Sequence, residues 1–131
     1  MKRMRIASIW AITAGSILTL LGIVHNLGTM DVFHDYGFDQ IPMGHGFIYM
    51  FLGVGTAWIF VGLLLIACGR GIPRGVPWAW PLGFASAVLM LLFGIGAMLI
   101  IPEVPTAPLI LGCSLPPVVP FLLHRPAQQR P

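Results

Sequence analysis

Charge is what this sequence is short of. Only 8% of its 131 residues are Asp, Glu, Lys or Arg, against 57% that are hydrophobic, whereas soluble domains carry about 25% charged residues. A water-soluble globular domain is excluded and an integral membrane protein is indicated. With lipid in place of water the chain needs no thick core, only helices that satisfy their own backbone hydrogen bonds. Its length fits one transmembrane domain spanning 1–131. The net charge of +3 points to no nucleic-acid partner, because the seven basic residues fall at helix ends, where topology alone requires them.

Other absences narrow the function. The two cysteines, Cys68 and Cys113, form no C-x-x-C pair and fall at different depths in different expected helices, so they read as small apolar residues and no disulfide is expected. That argues against a four-helix thiol oxidoreductase of the quinone-reducing kind, which needs exposed, paired thiols. No Asp, Glu, Lys or Arg lies inside any expected span. A proton-coupled carrier of the small multidrug type needs a carboxylate within the membrane, so that class and an ion-selective pore are disfavoured. H-E-x-x-H, H-x₃-H and C-x-x-C-H are also missing. With no nucleophile, base and orienter in register, the chain leans away from enzymes.

What is present is a set of apolar runs. MKRMR precedes a run from Ile6 to Val24 that is too long for a signal-peptide core and is followed by no A-x-A site. The first helix is expected over 6–25, about 30 Å long and enough to cross the hydrocarbon core. Ala7, Ala11, Gly15 and Thr19 recur every fourth residue as a close-approach stripe. The second helix is expected over 46–68, with Gly53, Ala57 and Gly62 as close-approach positions and Trp58 near its middle. There the indole N–H needs a partner inside the protein. A third is expected over 77–101, opening on Pro77 with Trp78 and Trp80 as interfacial anchors. A fourth, over 106–123, contains Pro108, Pro116, Pro117 and Pro120 and is expected to be kinked or broken near Leu115–Pro117.

Lys2, Arg3, Arg5, Arg70, Arg74, Arg125 and Arg130 all fall on one side of these spans, and Asp31, Asp35, Asp39 and Glu103 on the other. The positive-inside rule makes the basic side cytoplasmic. The expected fold class is an all-α membrane protein, four transmembrane helices in an up-down-up-down bundle, with both termini inside and the 26–45 loop outside.

The polar chemistry gathers in Val24–Tyr49, VHNLGTMDVFHDYGFDQIPMGHGFIY, which has no Lys or Arg. Asp31 reads as an N-cap and Gly37 as a C′ residue of a short interfacial helix, with Phe33 and Phe38 dipping into the bilayer. His25 would close helix one and His45 open helix two, so the imidazoles are expected at one outer depth. They would suit a transition metal completed by Asp31, His34 or Asp35, or, as the weaker candidate, the two axial positions of a haem. The bland alternative is interfacial histidines bonded to water or backbone. Asp31, Asp35 and Asp39 recur every four residues, which reads as a solvated acidic loop or a set holding a cation or a protonated His34. His25, Asn26, Thr29, His45 and Tyr49 are the candidate ligand-binding residues, lining a pocket expected to open outward.

LLGIVHN at the end of the first helix, GRGIPRGVPWAWPL between the second and third, and LPPVVPFLL in the fourth together resemble a family of small bacterial four-helix membrane proteins of unassigned activity. The resemblance covers about Gly15 to Leu123. It implies the four-helix architecture and a bacterial inner membrane, and brings no catalytic residues or cofactor. Two function classes follow from the residues themselves. One is a membrane protein binding a lipid, a quinone-like molecule or a metal at its outer face. The other is a structural or accessory subunit of a larger membrane complex or homo-oligomer.

Overall fold

The structure, a computed structural model, describes residues 2–100 and 106–123. Glu103, His124, Arg125 and Arg130 lie outside the described residues, as do the side chains of Lys2, Arg3, Asp39, Cys113 and Ser114. The described chain is helical: α1 (Lys2–Asp35), α2 (Gly44–Gly71), α3 (Ala79–Ile100) and a shorter α4 (Thr106–Leu123), with single 3₁₀ turns at Phe38–Gln40 and Ile72–Arg74. Among the described residues α1, α2 and α3 are each long and apolar enough to cross a membrane. This is a multi-pass membrane protein. Helix α1 packs most extensively on α2 and α3 on α4, with lesser contacts of α1 with α4 and of α2 with α3. Buried Ala11, Leu18, Trp58, Leu65, Met90 and Phe121 join all four helices in one apolar cluster.

The first helix does not stop at His25. It runs ten residues further, to Asp35, taking in Asn26, Thr29 and the stretch expected to form a separate interfacial helix. Asp31 is thus helix interior, not an N-cap. The cause is tertiary. Ser8 meets Gly69, Gly15 meets Gly62 and Gly22 meets Gly55, each contact seven residues further along α1 and seven back along α2. A seven-residue period keeps one seam facing its partner through a left-handed supercoil. The same antiparallel register brings Phe33 against Gly44, so packing on α2 carries the helix past residues of modest helical propensity. Phe33 is 5% exposed and therefore buried in the protein. It stacks on Phe38, which stacks in turn on Phe47 at 5.3 Å. These rings pack on one another instead of dipping separately into lipid.

The close-approach stripes are corrected with it. A Cβ on Gly15 would lie 2.5 Å from the Gly62 carbonyl oxygen, so only glycine fits there. Gly53 by contrast has nothing within 4 Å of where a Cβ would stand, and Ala57 is exposed. Of the expected α2 positions, Gly62 alone lies in the seam.

The turns behave as their residues dictate. Gly37 takes φ 67° beyond the end of α1, and its N–H donates to the His34 carbonyl. Gly75 takes φ 70°, with Gly75 N–H on Ile72 O and Val76 N–H on Gly71 O, the paired bonds of a Schellman motif. Pro77 falls in the turn before α3. Pro81 sits in the first turn of α3, where its missing N–H costs no bond. Of the two tryptophans beside it, Trp78 is exposed, while Trp80 is half-buried and stacks on Phe84 at 5.5 Å. Helix α4 stays helical through Pro116, Pro117 and Pro120.

Candidate functional site

Three polar side chains, His25, Asn26 and Thr29, gather where the C-terminal half of α1 crosses α2. The Nε2–H of His25 donates to the backbone carbonyl of Phe51 at 3.0 Å. A carbonyl only accepts, so this contact requires the proton on Nε2. The His25 ring stacks on the Phe51 ring at 5.8 Å and tilts against Trp58 at 5.0 Å. Next along the helix, Asn26 donates through Nδ2 to Thr56 Oγ1 at 3.2 Å. Its Oδ1 rests against Gly55, where a Cβ would meet it, and is buried without a hydrogen-bond partner. Thr29, 3% exposed, turns its hydroxyl back to the His25 carbonyl at 2.8 Å. At the opposite end of the seam Ser8 Oγ donates to the Gly69 carbonyl at 2.6 Å. The bonds of His25, Asn26 and Ser8 cross from α1 to α2 and fix the register of the pair, whereas that of Thr29 stays within α1. In lipid each contributes about 0.6 kcal/mol on average and up to about 1.7 kcal/mol.

His25, Asn26 and Thr29 are thus brought together, and His45 and Tyr49 do not join them. His45 is exposed and its ring lies beside Phe33, centroids 6.1 Å apart. Phe33 is eight residues beyond His25 on α1, a rise of about 12 Å. The expectation that the two imidazoles share one depth fails for this reason: it rested on a first helix ending at His25. Tyr49 is 79% exposed and faces away from the pair. Asp31, His34 and Asp35 ride on the exposed last turns of α1, with the His34 ring edge-on to Phe33 at 5.7 Å. Among the described residues no three His, Cys, Asp or Glu side chains gather closely enough to hold a metal ion. His25, His45, Asp31, His34 and Asp35 therefore do not form one ligand set, and the two histidines do not face each other as haem ligands would.

Beside the α1–α2 connection a cavity of about 10 Å³ lies between Thr29, Val32 and Phe33 on one side and Phe38, Phe47 and Phe51 on the other. It has room for about one water molecule. No family model, curated protein or solved structure matches this chain. Function must be argued from the geometry alone.

Sequence reasoning missed Ser8, Thr56 and the Phe51 carbonyl. The available signal was the seven-residue spacing of Gly15 with Gly22 and of Gly55, Gly62 and Gly69, which marks one seam on each helix. Trp58 was expected to find a partner for its indole N–H. It is 4% exposed, its ring packs between His25 and Phe93, and Nε1 has no hydrogen-bond partner.

Proposed function

We propose that this protein is a structural or accessory component of a membrane assembly, working through its surfaces. The observation that carries this reading is the use of its polar groups. His25, Asn26 and Ser8 all spend their hydrogen bonds on holding α2, and the product is a stiff hairpin. Its 34-residue first helix is about 51 Å long, longer than the roughly 30 Å hydrocarbon core. The surplus carries exposed Asp31 and Asp35, and the connection after it exposed Tyr36 and Met43, to the headgroup level and beyond, as an acidic and partly apolar tip suited to a partner's extracytoplasmic surface.

The orientation belongs to the same reading: four spans, up-down-up-down, both termini cytoplasmic. It is supported by the contact of Ser8 with Gly69, which gathers Arg5 and Arg70 at one end of the hairpin, away from Asp31 and Asp35. Helix α4, about 27 Å long, spans with slight local thinning of the bilayer and bends at Leu115–Pro117. The family resemblance supports a bacterial inner membrane. The alternative, a metal or quinone-like ligand held at the outer face, has weaker support because His25 and His45 lie at different depths.

A photocrosslinking residue at Tyr36 or Met43 tests the accessory role in intact membranes. A discrete protein adduct is expected from both positions, a doubled mass marking a homo-oligomer and any other mass a different subunit. Crosslinking to lipid alone from both would overturn it.

A further inference from the structure

At the end of the hairpin where α2 turns into α3, the seam delivers charge instead of glycine. On α1 the positions that meet α2 alternate four and three residues apart, through Ser8, Ile12, Gly15, Thr19 and Gly22. The next in that series toward the N-terminus is Arg5. Three residues beyond the Ser8–Gly69 contact, the antiparallel register sets Arg5 level with Ile72, and α1 touches the Ile72–Arg74 turn. Arg70 and Arg74 stand two residues to either side of that level, so three arginines start within about one turn of one another along the hairpin axis. All three are exposed. Lys2 and Arg3, next in the chain, add to the charge of this end.

The usual employments of basic residues at a helix end do not account for them. The carbonyls that close α2 are satisfied by backbone, with Cys68 O accepting from Ile72 N–H, Gly71 O from Val76 N–H and Ile72 O from Gly75 N–H, so no arginine is needed as a cap. Among the described residues no carboxylate accompanies the three, because Asp31 and Asp35 ride at the other end of α1, the nearer about 39 Å away along its axis. Membrane topology calls for positive charge on one side of the bilayer, not for its convergence on one level. Like charges held this close repel one another, and an anion among them removes the penalty. We propose that Arg5, Arg70 and Arg74 together hold the phosphate of an anionic phospholipid headgroup. Guanidinium forks match phosphate oxygens in pairs. The depth selects a lipid over a soluble anion. Ala79 meets Gly71, which sets Trp78 beside the arginines, and Trp10 lies five residues further along α1 from Arg5, about 7.5 Å. Both tryptophans are exposed, and such rings settle at the headgroup level. Exposed Ile9 beside Trp10 offers the acyl chains an apolar flank. The inference is independent of the accessory role and of which compartment this end faces.

The test uses nanodiscs made from equal parts of phosphatidylglycerol and phosphatidylcholine with the same chains, and native mass spectrometry of the lipids that stay on the released protein. Phosphatidylglycerol is expected to outnumber phosphatidylcholine by about fivefold or more, the effect of one basic residue at an anionic surface. Arg5→Gln, Arg70→Gln and Arg74→Gln together are expected to abolish the preference. Arg5→Lys, Arg70→Lys and Arg74→Lys together keep every charge but lose the planar fork, and are expected to remove at least half of it. Circular dichroism separates loss of the site from loss of the fold. Should the triple Gln variant not be helical, Arg74→Gln alone, in the exposed turn, is expected to halve the preference. Inorganic phosphate added to nanodiscs of phosphatidylcholine alone is expected to leave no adduct. No preference in the unmodified chain, a preference untouched by Gln or kept whole by Lys, or a phosphate adduct without anionic lipid would each overturn the proposal.

Discussion

Gly22 and Gly55 lie against each other so closely that a Cβ on Gly22 would stand 2.5 Å from the Gly55 carbonyl oxygen and 3.0 Å from the Ile59 nitrogen. Both obstacles are backbone, which cannot rotate away as a side chain can. The α1–α2 pair is therefore held at a separation that any larger residue must widen. Overpacking a core usually costs about 1–3 kcal/mol, and here the cost is expected at or above the top of that range. Gly22→Leu should separate or shift the hairpin, whereas Gly53→Leu, in open space, should change stability by less than about 0.5 kcal/mol. Unfolding by denaturing detergent, followed by helicity, measures both. Equal losses would show that the seam is not where the tight contact lies.

His25 and His45 should differ sharply. His25→Ala removes the bond to Phe51 O and the ring contacts with Phe51 and Trp58, at a cost of about 1–2 kcal/mol from the bond and lost packing together. His45→Ala, at an exposed position, should cost under about 0.5 kcal/mol. A metal or haem shared by the pair would make the two replacements equivalent, so stability curves with and without added zinc or haem decide the matter.

Asn26 and Thr56 offer a subtler test. Their bond of 3.2 Å is at the exposed edge of the seam, so its coupling energy should be small, about 0.6 kcal/mol. A double-mutant cycle with Asn26→Ala and Thr56→Ala isolates it. Coupling indistinguishable from zero would remove this pair from the account of how the helices hold register.

Much of the architecture was legible because composition and run length dominate in lipid. The apolar runs located α2, α3 and α4 to within a few residues, and Gly37, read as a C′ residue, takes the left-handed backbone just past the end of α1. The extension of α1 was not legible in the same way. Read alone, Asn26 looks like the start of a loop and Asp31–Gly37 like a separate short helix, and it is the seam with α2 that joins both to α1. One misplaced helix end then propagated. A first helix ending at His25 would put His25 and His45 at the same depth, whereas the register holds them about 12 Å apart along the helix axis. The spacing of the glycines would have given the register, since Gly15 to Gly22 and Gly55 to Gly62 to Gly69 share the seven-residue period.

Orientation can be checked by reporters fused after Gly37 and after Gly75, the two left-handed glycines that close α1 and α2. Opposite compartments are expected, periplasmic for the first and cytoplasmic for the second. The same compartment for both would mean that α2 does not cross.

Phe121 and Gly83 tie α4 to α3 and supply the last test. Phe121 is fully buried, lies edge-on to Trp80 at 5.9 Å, and presses its ring on Gly83, where a Cβ would stand 2.7 Å from Cζ and 3.1 Å from Cε1. Unlike the α1–α2 seam, the nearest obstacle here is the far end of a side chain, which can be shortened, with the Cys68 Cβ next at 3.1 Å. Gly83→Ala alone is expected to cost about 1–3 kcal/mol by displacing the ring. Phe121→Leu alone removes the ring contacts with Trp80 and Phe84 and should also destabilise. Together the two changes exchange volume, a methyl on one helix for part of a ring on the other, so the double variant should be more stable than the sum of the single losses by about 1 kcal/mol or more. Additive losses would mean that the ring and the glycine do not meet, and that α4 packs against α3 in another register.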